Sequence, residues 1–358
     1  MRIVSVEVAR YQFRLRHPSI VAYDALEEVP NVVVRIEVEG GLVGWGNAAP
    51  DPHVTGETAE EVVRTIGDRW RPLLLGADAR RIQLLWHQLR SAAPAEPTAL
   101  AAVDIALYDL LGKAAGLPLV QLLGQARDQI ATSLTLSIEP LDRNLDRTRE
   151  FCAAGVRIIK IKCGLDLAED VARIRAIREV TGPSLLLTLD ANQGYDIDQS
   201  LALLAAVEDC GIAFLEQPVP AADREALREL VARSPIPIMA DESVLQARDV
   251  LETPAPLVNL KLMKTGGITG ALQCNAVAEA RGIPVMIGCM DESHISMAAA
   301  SHLALALRNV AWADLDGHLD LVDDVARGAP VFSQGMISVP SAPGLGVEVP
   351  SGGDRCSS

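Results

Sequence analysis

Eight short apolar segments between residues 133 and 314 constrain the fold of this 358-residue chain more than any other feature. They span residues 133–138, 156–162, 185–190, 212–216, 236–241, 258–261, 285–288 and 311–314, and each of the first seven precedes a stretch with helical periodicity. The successive steps are 26, 28, 26, 25, 20, 26 and 27 residues, measured between Leu134, Lys160, Thr188, Phe214, Met239, Asn259, Val285 and Trp312. This is the spacing of repeated βα units.

Eight such units in about 185 residues favour a closed parallel barrel over an open sheet. A doubly wound sheet is the alternative, but no GxGxxG motif follows the first strands. We therefore predict an α/β fold: a modified TIM barrel of the (β/α)7β type.

The chain before the barrel has a different pattern of apolar and polar residues. Apolar and polar residues alternate around Val4–Val8 and again over residues 32–38, and helical periodicity follows over residues 59–75 and 98–115. We predict an α+β capping domain over residues 1–125, the barrel over 126–322, and a Gly- and Pro-rich segment over 323–358 that packs back onto the capping domain.

Carboxylates end three consecutive predicted strands: Asp190, Glu216 and Asp241. The carboxyl ends of barrel strands meet at one mouth, where three converging negative charges repel one another unless a cation lies between them. Oxygen donors without His or Cys favour a hard ion such as Mg²⁺ over zinc.

Lysines end strands 2 and 6. Lys160 and Lys162 lie on one side of strand 2, and Lys261 ends strand 6, four positions away in a ring of eight. Lys162 and Lys261 would then flank one bound atom from opposite sides. We expect burial, the metal and the second ammonium to lower a lysine pKa enough for proton abstraction next to a carboxylate.

Strand 8 ends in Asp314-Leu-Asp316, opposite the carboxylates of strand 4. A ligand lying across the mouth would hold its carboxylate against the metal and a cationic end, such as an amine, against these two aspartates. Loss of its α-proton would give an enediolate, which a metal and an ammonium stabilise.

These motifs resemble those of the enolase superfamily, in its muconate-lactonising branch, and within it the dipeptide epimerases. The resemblance covers essentially the whole chain and rests on GWG at 44–46, IKIK at 159–162, DANQ at 190–193, FLEQP at 214–218, ADES at 240–243, NLKLMKTGG at 259–267 and GCMDES at 288–293. It implies an isomerase that epimerises the C-terminal residue of a dipeptide.

The resemblance also implies residue roles. Asp190, Glu216 and Asp241 would bind Mg²⁺, Lys162 and Lys261 would be the acid/base pair, and Lys160 would face the substrate carboxylate. Asp314 and Asp316 would hold the free α-ammonium, which separates the epimerases from cycloisomerases and succinylbenzoate synthases of the branch. Glu242 and Lys264 would have supporting roles.

The side-chain preference is predicted from acids near the expected pocket. Asp24 stands where Ala-Glu epimerases are expected to carry an arginine, and Asp51 and Asp291 add two more acids, with Thr135 and Glu292 as further candidate contacts. We expect cationic (Lys/Arg) or small dipeptides. The alternatives are an N-acylamino acid racemase, a cycloisomerase or an amino acid dehydratase at the same metal site, or a non-catalytic relative.

The composition argues against nucleic acid and membranes as partners. The formal net charge is -15 and aromatic residues make up 3%, so neither a basic surface nor a stacking platform for nucleic acid is present. No uncharged segment is long enough to span a membrane, and the six cysteines are widely spaced, as in reduced proteins. We expect a cytoplasmic homo-oligomer.

Overall fold

The computed structural model describes residues 1–350, and its first unit is a three-stranded antiparallel sheet. The strands are β1 (Ile3–Ile20), β2 (Ala25–Val38) and β3 (Val43–Ala48), in the order β1-β2-β3. The alternation predicted for both segments is confirmed, with Val6 opposite Ile36 and Val34 opposite Gly46. The β1–β2 hairpin is longer than predicted, and its tip reaches the mouth of the barrel.

Helices cover one face of this sheet: α1 (Ala59–Arg64), α2 (Arg71–Leu74), α3 (Ile82–Ala92), α4 (Pro97–Ala115) and α5 (Leu119–Leu122). A π-helical turn over Thr65–Trp70 joins α1 to α2, and α3 was not predicted. Helix α4 packs so closely on β3 that a Cβ atom on Gly46 would lie 1.8 Å from the Ala102 carbonyl oxygen. Only glycine fits at that position.

The barrel contains eight parallel strands in chain order. After the short β4 (Ile130–Ala131), the strands are β5 (Ser133–Leu136), β6 (Ile158–Lys162), β7 (Leu186–Asp190), β8 (Ile212–Glu216), β9 (Ile238–Ala240), β10 (Leu257–Lys261), β11 (Val285–Gly288) and β12 (Val310–Ala313). The helices between them are α6 (Leu141–Ala153), α7 (Leu167–Thr181), α8 (Ile197–Ala206), α9 (Arg224–Arg233), α10 (Ala247–Glu252), α11 (Leu262–Thr265), α12 (Ile268–Arg281) and α13 (His294–Ala306). A 3-10 turn over Glu208–Cys210 follows α8.

The predicted barrel is confirmed. Its first and last strands meet through a single bridge between Thr132 and Ala313, reinforced by the Leu315 backbone N–H, which donates to Thr132 Oγ1 at 2.7 Å. Asp241, Asp314 and Asp316 lie just beyond their strands rather than within them. All three still project from the same end of the barrel.

The tail contacts both units. Its strands, β13 (Val331–Ser333) and β14 (Met336–Ser338), pair with each other, and β14 pairs with β4 beside the barrel. Gly344 lies against the capping domain, where its carbonyl accepts from the Leu119 amide. Residues 351–358 lie outside the described residues, and the domain boundaries stay a prediction. Within residues 1–350, no helix combines the length and apolar character needed to cross a membrane.

Candidate active site

The three predicted metal-binding carboxylates lie together at the barrel mouth. Asp190 pairs in register with Glu216 on the next strand, Asp241 follows β9, and all three side chains are fully buried. Burial raises the pKa of Glu216 to about 8, with the Asp190 charge adding to the shift. Burial also acts on Asp190, but the Lys160 and Lys162 ammonium groups outweigh it and bring its pKa below the ordinary value.

Lys160 is the centre of an ion-pair cluster. Its Nζ lies 2.9 Å from Asp190 Oδ2, 3.1 Å from Glu216 Oε2 and 2.7 Å from Asp314 Oδ2. Lys160 therefore joins the carboxylates of strands 3 and 4 to the Asp314 loop, although it also reaches the cavity surface.

The two predicted acid/base lysines each contact a different carboxylate. Lys162 Nζ donates to Asp190 Oδ2 and Asn192 Oδ1, both at 2.8 Å, and Lys261 Nζ lies 2.8 Å from Asp241 Oδ2. Their strands, β6 and β10, are four places apart in the sheet order, and both side chains line one cavity.

Burial and the neighbouring side chains do not by themselves give Lys261 the lowered pKa expected of a catalytic base. Burial lowers the pKa of an ammonium, but the surrounding carboxylates together outweigh it, with Asp190 contributing most at Lys160 and Asp241 most at Lys261, so both pKa values lie above the ordinary value. The charges of the surrounding carboxylates decide the result.

Mg²⁺ suits the donor chemistry of this site. Glu216 Oε2 lies 3.1 Å from Lys160 Nζ and Asp241 Oδ2 lies 2.8 Å from Lys261 Nζ, and neither oxygen accepts a further hydrogen bond from residues 1–350. A hard cation that displaced these ammonium groups would find two buried oxygen donors. No three acidic, histidine or cysteine side chains in that part of the chain converge on one metal-sized point, because ammonium groups lie between the carboxylates. Side-chain rotation would be needed to bring them together.

Supporting residues hold the carboxylates in place. Lys264 is fully buried, and its Nζ contacts the Asp241 side chain. The same Nζ donates to the Asn259 carbonyl at 3.0 Å. Asn259 Nδ2 donates to Glu216 Oε1 at 2.7 Å, and Asn192 Nδ2 donates to Glu242 Oε1 at 3.2 Å. The supporting position expected for Lys264 and Glu242 agrees with these contacts.

The two aspartates after strand 8 differ in their surroundings. Asp314 is buried and engaged by Lys160 and by the Ser133 hydroxyl at 2.5 Å, whereas Asp316 is half-buried and accepts from the Thr135 backbone N–H at 2.7 Å. Burial, together with the Asp314 charge, raises the pKa of Asp316 to about 7. Of the two, Asp316 is the carboxylate more available to a ligand.

The cavity above the lysines is lined by most of the predicted specificity residues: Asp24, Asp51, Thr135, Asp291, Asp314 and Asp316. Asp51 accepts from the Tyr23 hydroxyl at 2.9 Å and belongs to the loop after β3. Burial raises the pKa of Asp291 to about 6. The capping hairpin, the loop after β3 and the loop after β11 thus bring acids to one cavity.

Glu292 is placed differently from the prediction. It does not line the cavity; it is buried, and its Oε1 accepts from the Met290 backbone N–H at 2.8 Å. A direct contact between Glu292 and a ligand is therefore wrong for this arrangement. The side chain turns back to hold the loop through this contact.

Sequence reasoning missed several cavity residues, among them Tyr23, Asn192 and Asp320. Tyr23 lies at the hairpin tip, Asn192 contacts Lys162, and Asp320 contacts His17 Nδ1 at 2.9 Å. Asn192 follows Asp190 by two residues, so its spacing was a usable signal. Nothing local marked Asp320, whose partners lie on the capping hairpin and on α6, where Arg147 lies 3.4 Å away.

Fold and site together define a barrel enzyme with a capping domain and a carboxylate–lysine centre at the strand ends. Residues 3–124 match the mandelate racemase/muconate lactonizing enzyme N-terminal domain, and residues 144–352 match the enolase C-terminal domain-like family. The chain therefore belongs to the enolase superfamily, in its mandelate racemase/muconate-lactonising branch.

Individual relatives match over nearly full length. An L-Lys-D/L-Arg epimerase of Methylococcus capsulatus is 40% identical, covering 98% of this chain and 100% of the relative. An L-Ala-D/L-Glu epimerase of Bacillus subtilis is 38% identical, covering 97% of each. A solved structure of the Methylococcus capsulatus dipeptide epimerase with Mg and L-Arg-D-Lys has a TM-score of 0.91 at 40% identity, covering 97% of this chain and 99% of that one.

Proposed function

We propose that this chain is a Mg²⁺-dependent dipeptide epimerase, an isomerase that inverts the α-carbon of the C-terminal residue. The main support is the placement of Lys162 and Lys261 on strands that are four places apart in the barrel. Both lysine side chains line the same cavity. The Methylococcus capsulatus and Bacillus subtilis relatives, which cover 98% and 97% of the chain, are an L-Lys-D/L-Arg epimerase and an L-Ala-D/L-Glu epimerase.

Two lysines on opposite sides of an α-carbon account for inversion. One neutral lysine removes the α-proton, and the other, as an ammonium, returns a proton to the opposite face. Lys162 is held by Asp190 and Asn192, and Lys261 by Asp241, so each Nζ is oriented by its own partner. Either lysine serves as acid or as base, depending on which epimer binds.

Asp190, Glu216 and Asp241 would hold the metal. When bound, Mg²⁺ supplies positive charge where the enediolate's negative charge develops, and it offsets the carboxylate charge that raises the pKa of Lys261. The protein contributes the buried oxygens and the lysine network that keeps them in position.

Asp316 would bind the substrate's α-ammonium. Its carboxylate borders the cavity and is anchored by the Thr135 N–H, while the neighbouring Asp314 carboxylate is paired with Lys160. A substrate without this ammonium would leave the Asp316 charge uncompensated, which disfavours muconates and succinylbenzoates.

The side-chain preference would be cationic. Asp24, Asp51 and Asp291 border the cavity, and they repel an acidic side chain and attract a Lys or Arg side chain. Exchange of Asp291 for Leu should lower kcat/KM for Ala-Lys far more than for Ala-Ala. Equal losses on the two substrates would contradict recognition by charge.

The test of the function is α-deuterium incorporation in D2O with Mg²⁺, followed by mass spectrometry. The substrates are L,L-dipeptides: Ala-Glu, Ala-Ala, Ala-Phe, Ala-Lys, Lys-Ala and Arg-Arg. Exchange confined to the C-terminal residue, and fastest for Lys and Arg compounds, is expected. If every dipeptide remained unlabelled, epimerisation would be refuted, and loss of water instead of inversion would identify a dehydratase.

We also propose that the chain forms a cytoplasmic homo-oligomer. The cysteines of the described residues are free thiols, as expected in a reducing compartment, and Val4, Leu73 and Leu75 expose apolar surface on the capping domain. Light scattering coupled to size-exclusion chromatography measures the assembly. A monomer at micromolar concentration would contradict this proposal.

A further inference from the structure

We propose that Asn31, on strand β2 of the capping domain, is a positioning residue that sets the direction of Asp291 in the cavity. The proposal rests on the proposed function, because Asp291 is there assigned to substrate recognition. It concerns the loop over residues 289–293, which joins β11 to α13 and is called here the Asp291 loop.

Asn31 bonds to the two backbone peptides that flank Glu292. Its Nδ2 donates to the Asp291 carbonyl at 3.1 Å, and its Oδ1 accepts from the Ser293 backbone N–H at 3.3 Å. The side chain is fully buried and does not line the cavity. Asn31 therefore acts on this loop through the backbone and has no contact with the space that a ligand would occupy.

A second buried amide fixes the orientation of the first. Asn47 Nδ2 donates to Asn31 Oδ1 at 3.0 Å and to the Val32 carbonyl at 3.3 Å. The Ser296 hydroxyl, on α13, donates to Asn47 Oδ1 at 2.7 Å. Since Asn31 Oδ1 faces two donors, its Nδ2 must face the Asp291 carbonyl, and a reversed amide would lose all three contacts.

Other anchors act on different atoms of the loop. The Ser19 hydroxyl, on the capping hairpin, donates to the Asp291 carboxylate itself. Asp324 of the tail accepts from the Ser293 hydroxyl at 2.7 Å and from the His294 N–H at 2.7 Å, so it holds the start of α13. Glu292 holds the Met290 N–H. Asn31 holds the Asp291 peptide carbonyl. Rotation of that peptide would change the direction of the Asp291 carboxylate in the cavity or remove it from the cavity.

This arrangement gives the capping domain a second influence on specificity. Its hairpin and the loop after β3 supply cavity residues directly, while the Asn31–Asn47 pair controls an acid that belongs to the barrel. Any shift of β2 relative to the barrel would move Asp291 as well.

The experiment compares Asn31→Leu and Asn31→Ala with the control Asn275→Leu. Leu nearly matches the size of Asn but lacks its hydrogen bonds, and Ala lacks them without added bulk. Asn275 is a buried amide on α12 that accepts from Asn309 at 3.4 Å and lies outside the cavity lining. Each variant is assayed with Mg²⁺ on Ala-Lys and Ala-Ala, and backbone hydrogen exchange is measured over residues 289–293.

Both Asn31 variants should lose about tenfold more kcat/KM on Ala-Lys than on Ala-Ala, mainly through KM, because a small misplacement of a binding group is costly. The Ser293 amide should exchange faster in both variants and at the parent rate in Asn275→Leu. Equal losses on the two dipeptides, with unchanged amide exchange, would overturn the role of Asn31. Absence of turnover on any dipeptide by the parent enzyme would instead refute the proposed function, while the amide-exchange comparison would still test the structural claim.

Discussion

Exchange of Asp316 for Asn tests whether this carboxylate binds the α-ammonium of a dipeptide. Asn retains an oxygen that accepts from the Thr135 N–H, so the loop after β12 should keep its position while the charge is removed. The matched substrates are Ala-Lys and N-propionyl-lysine, which differ in the replacement of the α-ammonium by hydrogen.

The magnitude follows from the burial of the pair. Removing one partner of a buried charge pair costs about 2–5 kcal/mol, and the half-buried Asp316 belongs near the lower end. A loss of about 2 kcal/mol corresponds to about a 30-fold fall in kcat/KM for Ala-Lys. N-propionyl-lysine should lose little, because it brings no charge to compensate.

The pH dependence has a definite sign. Burial and the Asp314 charge raise the pKa of Asp316 to about 7, so the free enzyme holds a neutral acid below that pH and a carboxylate above it. Binding of Ala-Lys should therefore strengthen as pH rises through about 7, and weaken above about 8, where the substrate's own ammonium loses its proton. The Asn variant should lack the rising limb that Asp316 contributes.

The assay is α-deuterium exchange of both substrates at pH 6, 7 and 8, with circular dichroism to confirm folding. Equal losses of kcat/KM on Ala-Lys and N-propionyl-lysine would refute the ammonium site. So would an Asp316→Asn variant that keeps the parent pH profile on Ala-Lys.

Two further predictions concern the metal and the packing of the capping domain. Removal of Mg²⁺ with EDTA should slow α-proton exchange by at least about a hundredfold, since several kcal/mol of charge stabilisation is lost, and added Mg²⁺ should restore the rate. Calorimetry should show weaker Mg²⁺ binding to Asp241→Asn than to the parent enzyme. Unchanged binding would contradict the assignment of Asp241 as a metal ligand. Gly46→Ala should destabilise the fold by about 3 kcal/mol or more, because its Cβ would overlap the Ala102 carbonyl. Gly67→Ala, whose new Cβ would meet only side-chain atoms at 3.6 Å and beyond, should unfold near the parent urea midpoint, and similar midpoints for both variants would argue against the close approach.

Much of the barrel was predictable because the repeat is long and regular. Alternation within each strand places Lys160 and Lys162 on one side, and the chain order of the strands places Lys261 across from them. The relative positions of these lysines follow from residue spacing alone, which can be read directly from the sequence.

Contacts between distant segments were not predictable in this way. The capture of Asp314 by Lys160 depends on how far a long side chain reaches across the closed barrel, and Glu292 turns away from the cavity to meet a backbone N–H. Asn31 gives no local signal of its role, because its partners in the Asp291 loop are about 260 residues away in the chain. Periodicity reports burial, but it does not identify the partner of a buried polar group.

The most direct test of the central claim is exchange by the single-lysine variants Lys162→Ala and Lys261→Ala, each given the L,L and L,D epimers of Ala-Lys in D2O. Without its partner, one lysine still removes the proton from the face it borders, but no proton is returned to the opposite face. Each variant should therefore label one epimer, the two variants should label opposite epimers, and neither should interconvert them. Epimerisation by either variant, or labelling of the same epimer by both, would contradict the two-lysine account.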